Sequence, residues 1–310
     1  MKVSELVNRA GYRVFCEGED REIENGYCGD FLSNIISRAP ENCAWLTVMN
    51  NVNVAAVAVL IDCACIILCE GTEPDGPLFE RAKMQGLWVL GSAKDVFLTA
   101  KEVSARMKLY YDFHIHSCLS PCGDEDNTPN NIVNMALIKG LNVIALSDHN
   151  TGKNCPAAIA AGKRNGLVVL PAMELTTSED IHILCLFERY EDLEKLEKHI
   201  QNTRMKIRNR PEIFGRQLIM NEQDEIVGEE ENLLIVSSGV SVEEAAPLVK
   251  SFGGIAVPAH IDKQSNSLVG ILGGFDYGLG FEMVECTLDS GVELPQITDS
   301  DAHYLWDISE

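Results

Sequence analysis

Residues 109–116 read LYYDFHIH, and this stretch decides the fold. It is strand-like, and in a strand residues i, i+2 and i+4 share a face. Asp112, His114 and His116 are therefore expected together, with Phe113 and Ile115 on the opposite, apolar side. Two imidazoles about 6–7 Å apart along a strand can grip one ion or two adjacent ions. The chain has only seven histidines, and four others end or follow apolar runs in the same way. They are His149 in VIALSDHN, His182 in DIHILCLF, His260 in IAVPAHID and His303 in ITDSDAH. Only His199, in EKLEKHIQN, lies in an ordinary charged stretch. Carboxylates accompany the six: Asp112, Asp148, Glu174 in LPAMELTT, and Asp301. Imidazoles and carboxylates gathered from several strand ends make a multi-metal hydrolytic site. Glu174 follows an apolar run. A buried glutamate needs a partner, and its two oxygens suit it to bridge two cations. Asp112 is expected behind the ligands, orienting an imidazole through its other ring nitrogen.

Outward from this stretch, strand and helix signals alternate. Thr128-Pro129 reads as an N-cap and first turn leading NNIVNMALIKG into a helix. NVIALSDH, LVVLPAMEL, DIHILCLF, GIAVPAH, FEMVEC and LPQITDSD read as strands. CPAAIAAGKRNG, a charged segment from Tyr190, and EEAAPLVKSFG read as helices, the last with a Ser241/Glu244 capping box. This alternation predicts a parallel sheet or barrel with its chemistry at the strand C-termini. Residues 209–232 break the pattern as a long polar insertion. Residues 1–108 alternate on their own: AWLTVM, CACIILCE and LWVLGS as strands, LSNIISRA, NVNVAAVAVL, Pro77–Gln85 and AKDVFLTAKEVSARMK as helices. They predict a separate α/β sandwich. Phosphate loops of the GxxxxGK[ST] or GxGxxG type are absent.

At 310 residues and 46% hydrophobic, the chain reads as globular, with room for two domains. Net charge is −22, carried mostly by 109–310, where 32 acidic residues face 14 basic ones. Such a surface repels long nucleic acid, so stable duplex binding is not expected. No run approaches the ~18 apolar residues of a membrane span. The opening MKVSELVNRAG lacks a signal-peptide core. The eleven cysteines, several inside apolar runs, read as small buried hydrophobes, so a cytoplasmic location is expected. Cys118 and Cys122 lie near the site as open candidates for ligands or redox-sensitive thiols. No second cysteine pair completes a zinc set, so the metals are expected to depend on the histidines.

The motifs DFHIHS, SDHN with the Glu174 segment, the His182/PAHID pair and SDAH resemble, in order, those of the polymerase-and-histidinol-phosphatase (PHP) family of metal-dependent phosphoesterases. The resemblance spans residues 109–306. It implies a distorted (β/α)7-type barrel over 108–310, holding two or three divalent ions; mixed nitrogen and oxygen donors suit Mn, Fe or Zn. Carried over by motif, the ligands are His114, His116, His149, Glu174, His182, His260, Asp301 and His303. Relatives place an Asp or His a few residues after the second histidine. Here Pro121 and Cys122 stand there, and the nearest carboxylate, Asp124, is the candidate third-metal ligand. Residues 1–107 resemble the DRTGG domain of HPr kinase/phosphorylase N-termini, through DREIENGYCGDFLS and the apolar run Ala44–Leu68. Asp20-Arg21 is the only direct match to the motif string. That resemblance implies a regulatory domain with a small-molecule effector.

Together these readings lead to a phosphatase acting on a small phosphorylated metabolite or nucleotide through a metal-bound hydroxide. Asp148 or Asp301 is the expected proton relay. Substrate phosphate is expected to meet Arg204, Arg208, Arg210 or Arg216, which cluster at the irregular insertion, or Lys153 or Lys263, which closely follow proposed ligands. An exonuclease of oligonucleotide ends and a non-catalytic phospho-ligand sensor are the alternatives. Substrate and oligomeric state are not encoded legibly.

Overall fold

Runs of four to six apolar residues are too short for helices and become strands in both halves of the chain. The computed structural model describes residues 1–288 and 290–309. The chain divides into two units, Met1–Lys108 and Leu109–Glu310.

The first unit holds α1 (Val3–Ala10), β1 (Arg13–Cys16), β2 (Asn25–Cys28), α2 (Leu32–Arg38), β3 (Cys43–Thr47), α3 (Val52–Leu60), β4 (Cys65–Leu68), α4 (Gly76–Gln85), β5 (Trp88–Gly91) and α5 (Val96–Ser104). Its sheet runs β1-β5-β4-β3-β2, parallel except for β1. β3 and β4 are buried along their whole length, so they read as unbroken apolar runs. Asn51, Asp75 and Asp95 cap the helices that follow them by accepting from backbone N–H groups. α1, β1 and β2 carry mixed polar sequence and escaped the sequence reading.

The second unit continues with β6 (Tyr111–Ile115), α6 (Pro129–Ile138), β7 (Val143–Leu146), α7 (Cys155–Asn165), β8 (Val168–Thr176), β9 (His182–Leu186) and α8 (Tyr190–Thr203). Then come α9 (Pro211–Phe214), β10 (Leu218–Met220), β11 (Ile226–Glu229), α10 (Val242–Ser251), β12 (Ile255–Pro258), α11 (Leu268–Leu272), β13 (Val284–Glu285) and β14 (Gln296–Ile297). A curled sheet runs β12-β9-β8-β7-β6. Backbone links carry the curl round. Ile261 N–H donates to Glu285 C=O at 2.9 Å, β13 pairs with β14, and His116 N–H donates to Ala302 C=O at 2.9 Å. The result is a distorted seven-stranded barrel. An all-parallel sheet is not realised. β9 runs antiparallel to both β8 and β12. The link Thr177–Ile181 is too short for the crossover a parallel neighbour needs. The polar stretch 209–232 is not structureless: it holds α9 and the β10–β11 hairpin.

Alternation sorts the barrel's two faces. Ile144, Leu146, Met173, Leu175, Ile183 and Cys185 pack outward with the helices. Ala145, Ala172, Leu184, Leu186, Val257 and Ile297 pack on the inner face. Glu174 lies two residues beyond Ala172, and His182 two before Leu184. Both therefore crown the inner face. All cysteines except Cys28 and Cys122 are buried, and no disulfide joins the described residues. No helix among the described residues is long and apolar enough to cross a membrane.

Candidate metal centre

Glu174 is the hub. Glu174 N–H donates to Asp148 C=O at 3.1 Å and Asn150 N–H donates to Glu174 C=O at 2.9 Å, so the backbone on either side of His149 is tied to it. Oε1 lies 2.7 Å from His182 Nδ1, 3.2 Å from His114 Nε2 and 3.3 Å from His260 Nε2. Oε2 lies 2.9 Å from His149 Nδ1 and 3.5 Å from His116 Nε2. Asp301 Oδ1 stands 3.4 Å from both His114 Nε2 and His116 Nε2. The His303 ring stacks on His116 with centroids 4.4 Å apart. The fold thus brings together all eight residues carried over from the motifs. His199 is exposed on α8, against Phe252 and outside the cluster. Asn150, His260 and Asp301 adopt φ of +54°, +34° and +50°. Non-glycine residues hold that conformation only where their surroundings enforce it, and such residues gather at functional sites.

Two imidazoles are oriented from behind. His114 Nδ1 meets Glu285 Oε2 at 2.8 Å, and His116 Nδ1 meets Ser120 Oγ at 3.0 Å. Ser120 Oγ in turn donates to Asp148 Oδ1 at 2.7 Å. With Nδ1 carrying the proton in each ring, the Nε2 lone pairs face the cluster, the arrangement of a metal-binding histidine. Glu285 escaped the sequence reading, although it sits in an apolar run (FEMVEC) as Glu174 does. Asp112 does not take the place expected of it. β6 has an irregularity between Asp112 and Ile115, which breaks the alternation. Phe113 then packs with the inner-face residues while Ile115 packs outward. Asp112 accepts instead from Ser300 N–H, Ser300 Oγ and Ser309 N–H. Asp148 also stands back. It accepts from Ser117 N–H, Ser117 Oγ and Ser120 Oγ at 2.6–2.8 Å and does not line the cavity, which places it behind His116 and not at a reacting atom.

The donor set fits divalent cations. His114 Nε2, His116 Nε2, His149 Nδ1, His182 Nδ1 and Glu174 Oε2 are buried, and none makes a well-directed hydrogen bond. Five such atoms converging is costly unless a further group satisfies them. Three groups have ligand atoms mutually within 4.8 Å: His114, His116 and Glu174; His149, Glu174 and His182; and His116, Cys122, His149 and His303. Burial works against the Glu174 carboxylate, but the imidazoles of His182, His114 and His149 outweigh it and hold it well below the usual range. Asp301 is likewise buried, and His114 and His116 hold it well below that range. Burial pushes His116 down to about 3, so it stays neutral, as a ligand must. For His114 and His182, burial is overcome by neighbouring carboxylates, and both are raised.

The cluster opens into a cavity of about 400 Å³ lined by His149, Glu174, His182, His260, Asp301 and His303, among others. Lys263 lines it and pairs with Asp301 at 2.5 Å. The four arginines do not line it. Arg204 is buried, donating to Leu234 C=O and Gln201. Arg208 sits at a backbone bridge to Asn232, Arg210 lies over the Phe214 ring, and Arg216 pairs with Glu229. Three of the four side chains thus have partners away from the cavity, and none of the four reaches its lining, which corrects the expected phosphate clamp. Lys153 pairs with Glu230 and is also absent from the lining. Asp124 Oδ1 accepts from Asp126 N–H, and the residue does not line the cavity. Cys122 takes the place nearest the cluster and lines the cavity.

With this geometry in view, the PHP domain family model is found to match residues 112–263 of the chain. No curated protein matches the chain. Among solved structures, the chain is similar to the lesion-specific endonuclease PfuEndoQ of Pyrococcus furiosus: 17% identity, 64% of this chain, 49% of that one, TM-score 0.48. The chain thus spans about half of that endonuclease. It is also similar to a Bifidobacterium adolescentis protein inferred to be a metal-dependent phosphoesterase: 19% identity, 62% of this chain, 87% of that one, TM-score 0.44. A third likeness is to the CBS and DRTGG domains of the regulatory region of Clostridium perfringens pyrophosphatase, solved with the activator diadenosine tetraphosphate. It has 11% identity, 33% of this chain, 45% of that one and TM-score 0.28. Likenesses this remote carry no argument about reaction or substrate.

Proposed function

We propose that the chain is a metal-dependent phosphoesterase that removes phosphate from a small phosphorylated metabolite or nucleotide. The observation that carries this reading is the convergence of buried, unsatisfied donor atoms around Glu174. Two or three divalent cations, of Mn, Fe or Zn type, would be held by His114, His116, His149, Glu174, His182, His260, Asp301 and His303. When bound, such ions supply Lewis acidity and an activated water. The chain's own part is positional. Glu174 offers one oxygen to the His114/His182/His260 side and the other to the His149/His116 side. Glu285 and Ser120 fix the tautomers of His114 and His116. Lys263, the one lysine or arginine among the described lining residues, is poised to meet a phosphoryl oxygen at the price of its pairing with Asp301. A small substrate suits a cavity of this size.

The first unit supplies none of the eight residues. We propose that it binds a small-molecule effector, and that the protein works in the cytoplasm, where its thiols stay reduced. The test of the main reading is metal analysis of the purified chain, followed by hydrolysis of an aryl phosphate and of nucleoside monophosphates with added Mn²⁺. Release of phosphate that chelation abolishes is expected. Cleavage of oligonucleotide ends without action on monophosphates would support the exonuclease alternative. Metal binding with no turnover of any phosphoester would leave a sensor.

A further inference from the structure

Resting on the metal-dependent reading, we propose that Cys122 is a thiolate metal ligand. With His116, His149 and His303 it forms a soft corner of the centre that selects zinc-like cations over magnesium or manganese. The four ligand atoms lie within 4.8 Å of one another. Two of the partners, His116 Nε2 and His149 Nδ1, are buried with no hydrogen bond of their own. His116 is fully buried and His149 is 5% exposed, so neither is satisfied by open solvent.

The loop that carries Cys122 is built to hold it there. Cys118 N–H donates to Asn127 C=O, Gly123 N–H to Ser120 C=O, and Asp124 N–H to His303 C=O, all at 2.9–3.0 Å. Asn127 Nδ2 donates to both His116 C=O and His303 C=O at 2.9 Å, locking the loop to two of the thiol's partners. A Cβ at Gly123 would stand 2.4 Å from Ser117 O, and one at Gly215 would stand 2.5 Å from Pro121 O. Both glycines therefore permit backbone approaches that fix the Pro121–Gly123 turn. The nearest carboxylate, Asp124, has Oδ1 engaged with Asp126 N–H and does not line the cavity, whereas Cys122 does.

The chemistry follows from donor type. Thiolate and imidazole favour Zn²⁺, Co²⁺ or Cd²⁺, whereas Mg²⁺ and Mn²⁺ prefer oxygen. On binding, the thiol proton passes to solvent and a metal–sulfur bond forms, with no change of oxidation state. The corner shares His116 and His149 with the Glu174 cluster and differs from the rest of the centre in carrying a sulfur donor.

The test uses the full chain stripped of metal and reloaded with Co²⁺ alone, read by absorbance and by bound cobalt. A sulfur-to-cobalt charge-transfer band is expected. Cys122→Ser should remove it and lower bound cobalt by about one ion per chain. Cys122→Asp should remove the band and restore the ion, while Cys118→Ala should keep both. Bound cobalt with ligand-field absorption but no charge-transfer band, or a band that survives Cys122→Ser, overturns the thiolate ligand and leaves the metal reading standing. A chain that takes up no cobalt at all overturns both.

Discussion

His114 Nδ1 and Glu285 Oε2 lie 2.8 Å apart in a buried pair, joining the first barrel strand to a residue 171 positions further along the chain. The bond holds the His114 ring with its Nε2 lone pair toward Glu174 and Asp301. Loss of such a partner behind a metal-binding imidazole typically costs about 10- to 100-fold in metal affinity or activity. Glu285→Gln should therefore weaken cation binding by that range while leaving the fold intact, as read by titration of the stripped protein. His199→Ala is the matched control, on an exposed helix position, and should stay within about twofold. Equal affinity in wild type and Glu285→Gln would remove Glu285 from the centre.

Lys263 and the arginines separate by the same logic. Lys263→Ala should raise KM or lower kcat/KM by about ten- to a hundredfold, the 1.5–3 kcal/mol of a lost charge-assisted contact. Metal content should hold. Arg208→Ala, Arg210→Ala and Arg216→Ala should leave kcat/KM nearly unchanged, since none of these side chains lines the cavity. Arg204→Ala is different. It is buried, so its replacement should lower stability rather than affect substrate. A KM effect from Arg216→Ala with none from Lys263→Ala would reverse the assignment.

The metal-free centre should titrate against its own cations. His114 and His182 are raised above their ordinary value of 6.5 by neighbouring carboxylates, despite burial. Raised imidazoles contribute stability that is full below about 6.5 and lost as pH rises through the folded values. Cations must expel the same protons to bind. The rise in Tm produced by saturating Zn²⁺ should therefore grow as pH rises above about 6.5. Scanning calorimetry of loaded and stripped protein measures it, and a pH-independent difference would show that these rings are already neutral.

All proposed ligands and their supports lie in Leu109–Glu310, which packs as its own unit. A fragment of residues 109–310 should fold and retain metal-dependent hydrolysis, and residues 1–108 should fold without transition metal. An inert but folded 109–310 fragment, beside an active full chain, would assign the first unit a part in the site.

The sequence made the motif histidines legible because each closes an apolar run, a position where an imidazole has little other reason to be. Glu174 was legible for the same reason. Glu285 met the same criterion but lies in a strand of only two residues, where periodicity gives no signal. Asp112 was misplaced because a strand irregularity is invisible in alternation alone. The antiparallel course of β9 depends on the length of one link. The arginines misled because clustering along the chain does not tell which acidic partners fold back onto them. Cys122 was legible as a candidate near the site but not as the one favoured over Cys118, since the course of its loop depends on contacts of Cys118 with Asn127, Pro121 with Gly215 and Asp124 with His303.

The Ala302 bridge that closes the barrel onto Ile115 also sets a timetable. His114 and His116 are synthesised well before Glu285, Asp301 and His303. A ring closed between such distant segments forms late in folding. Until then Asp301 and His303 are missing from the set that His114, His116, His149, Glu174, His182 and His260 begin. Completing the set of eight proposed ligands therefore waits for the closure between Ile115 and Ala302.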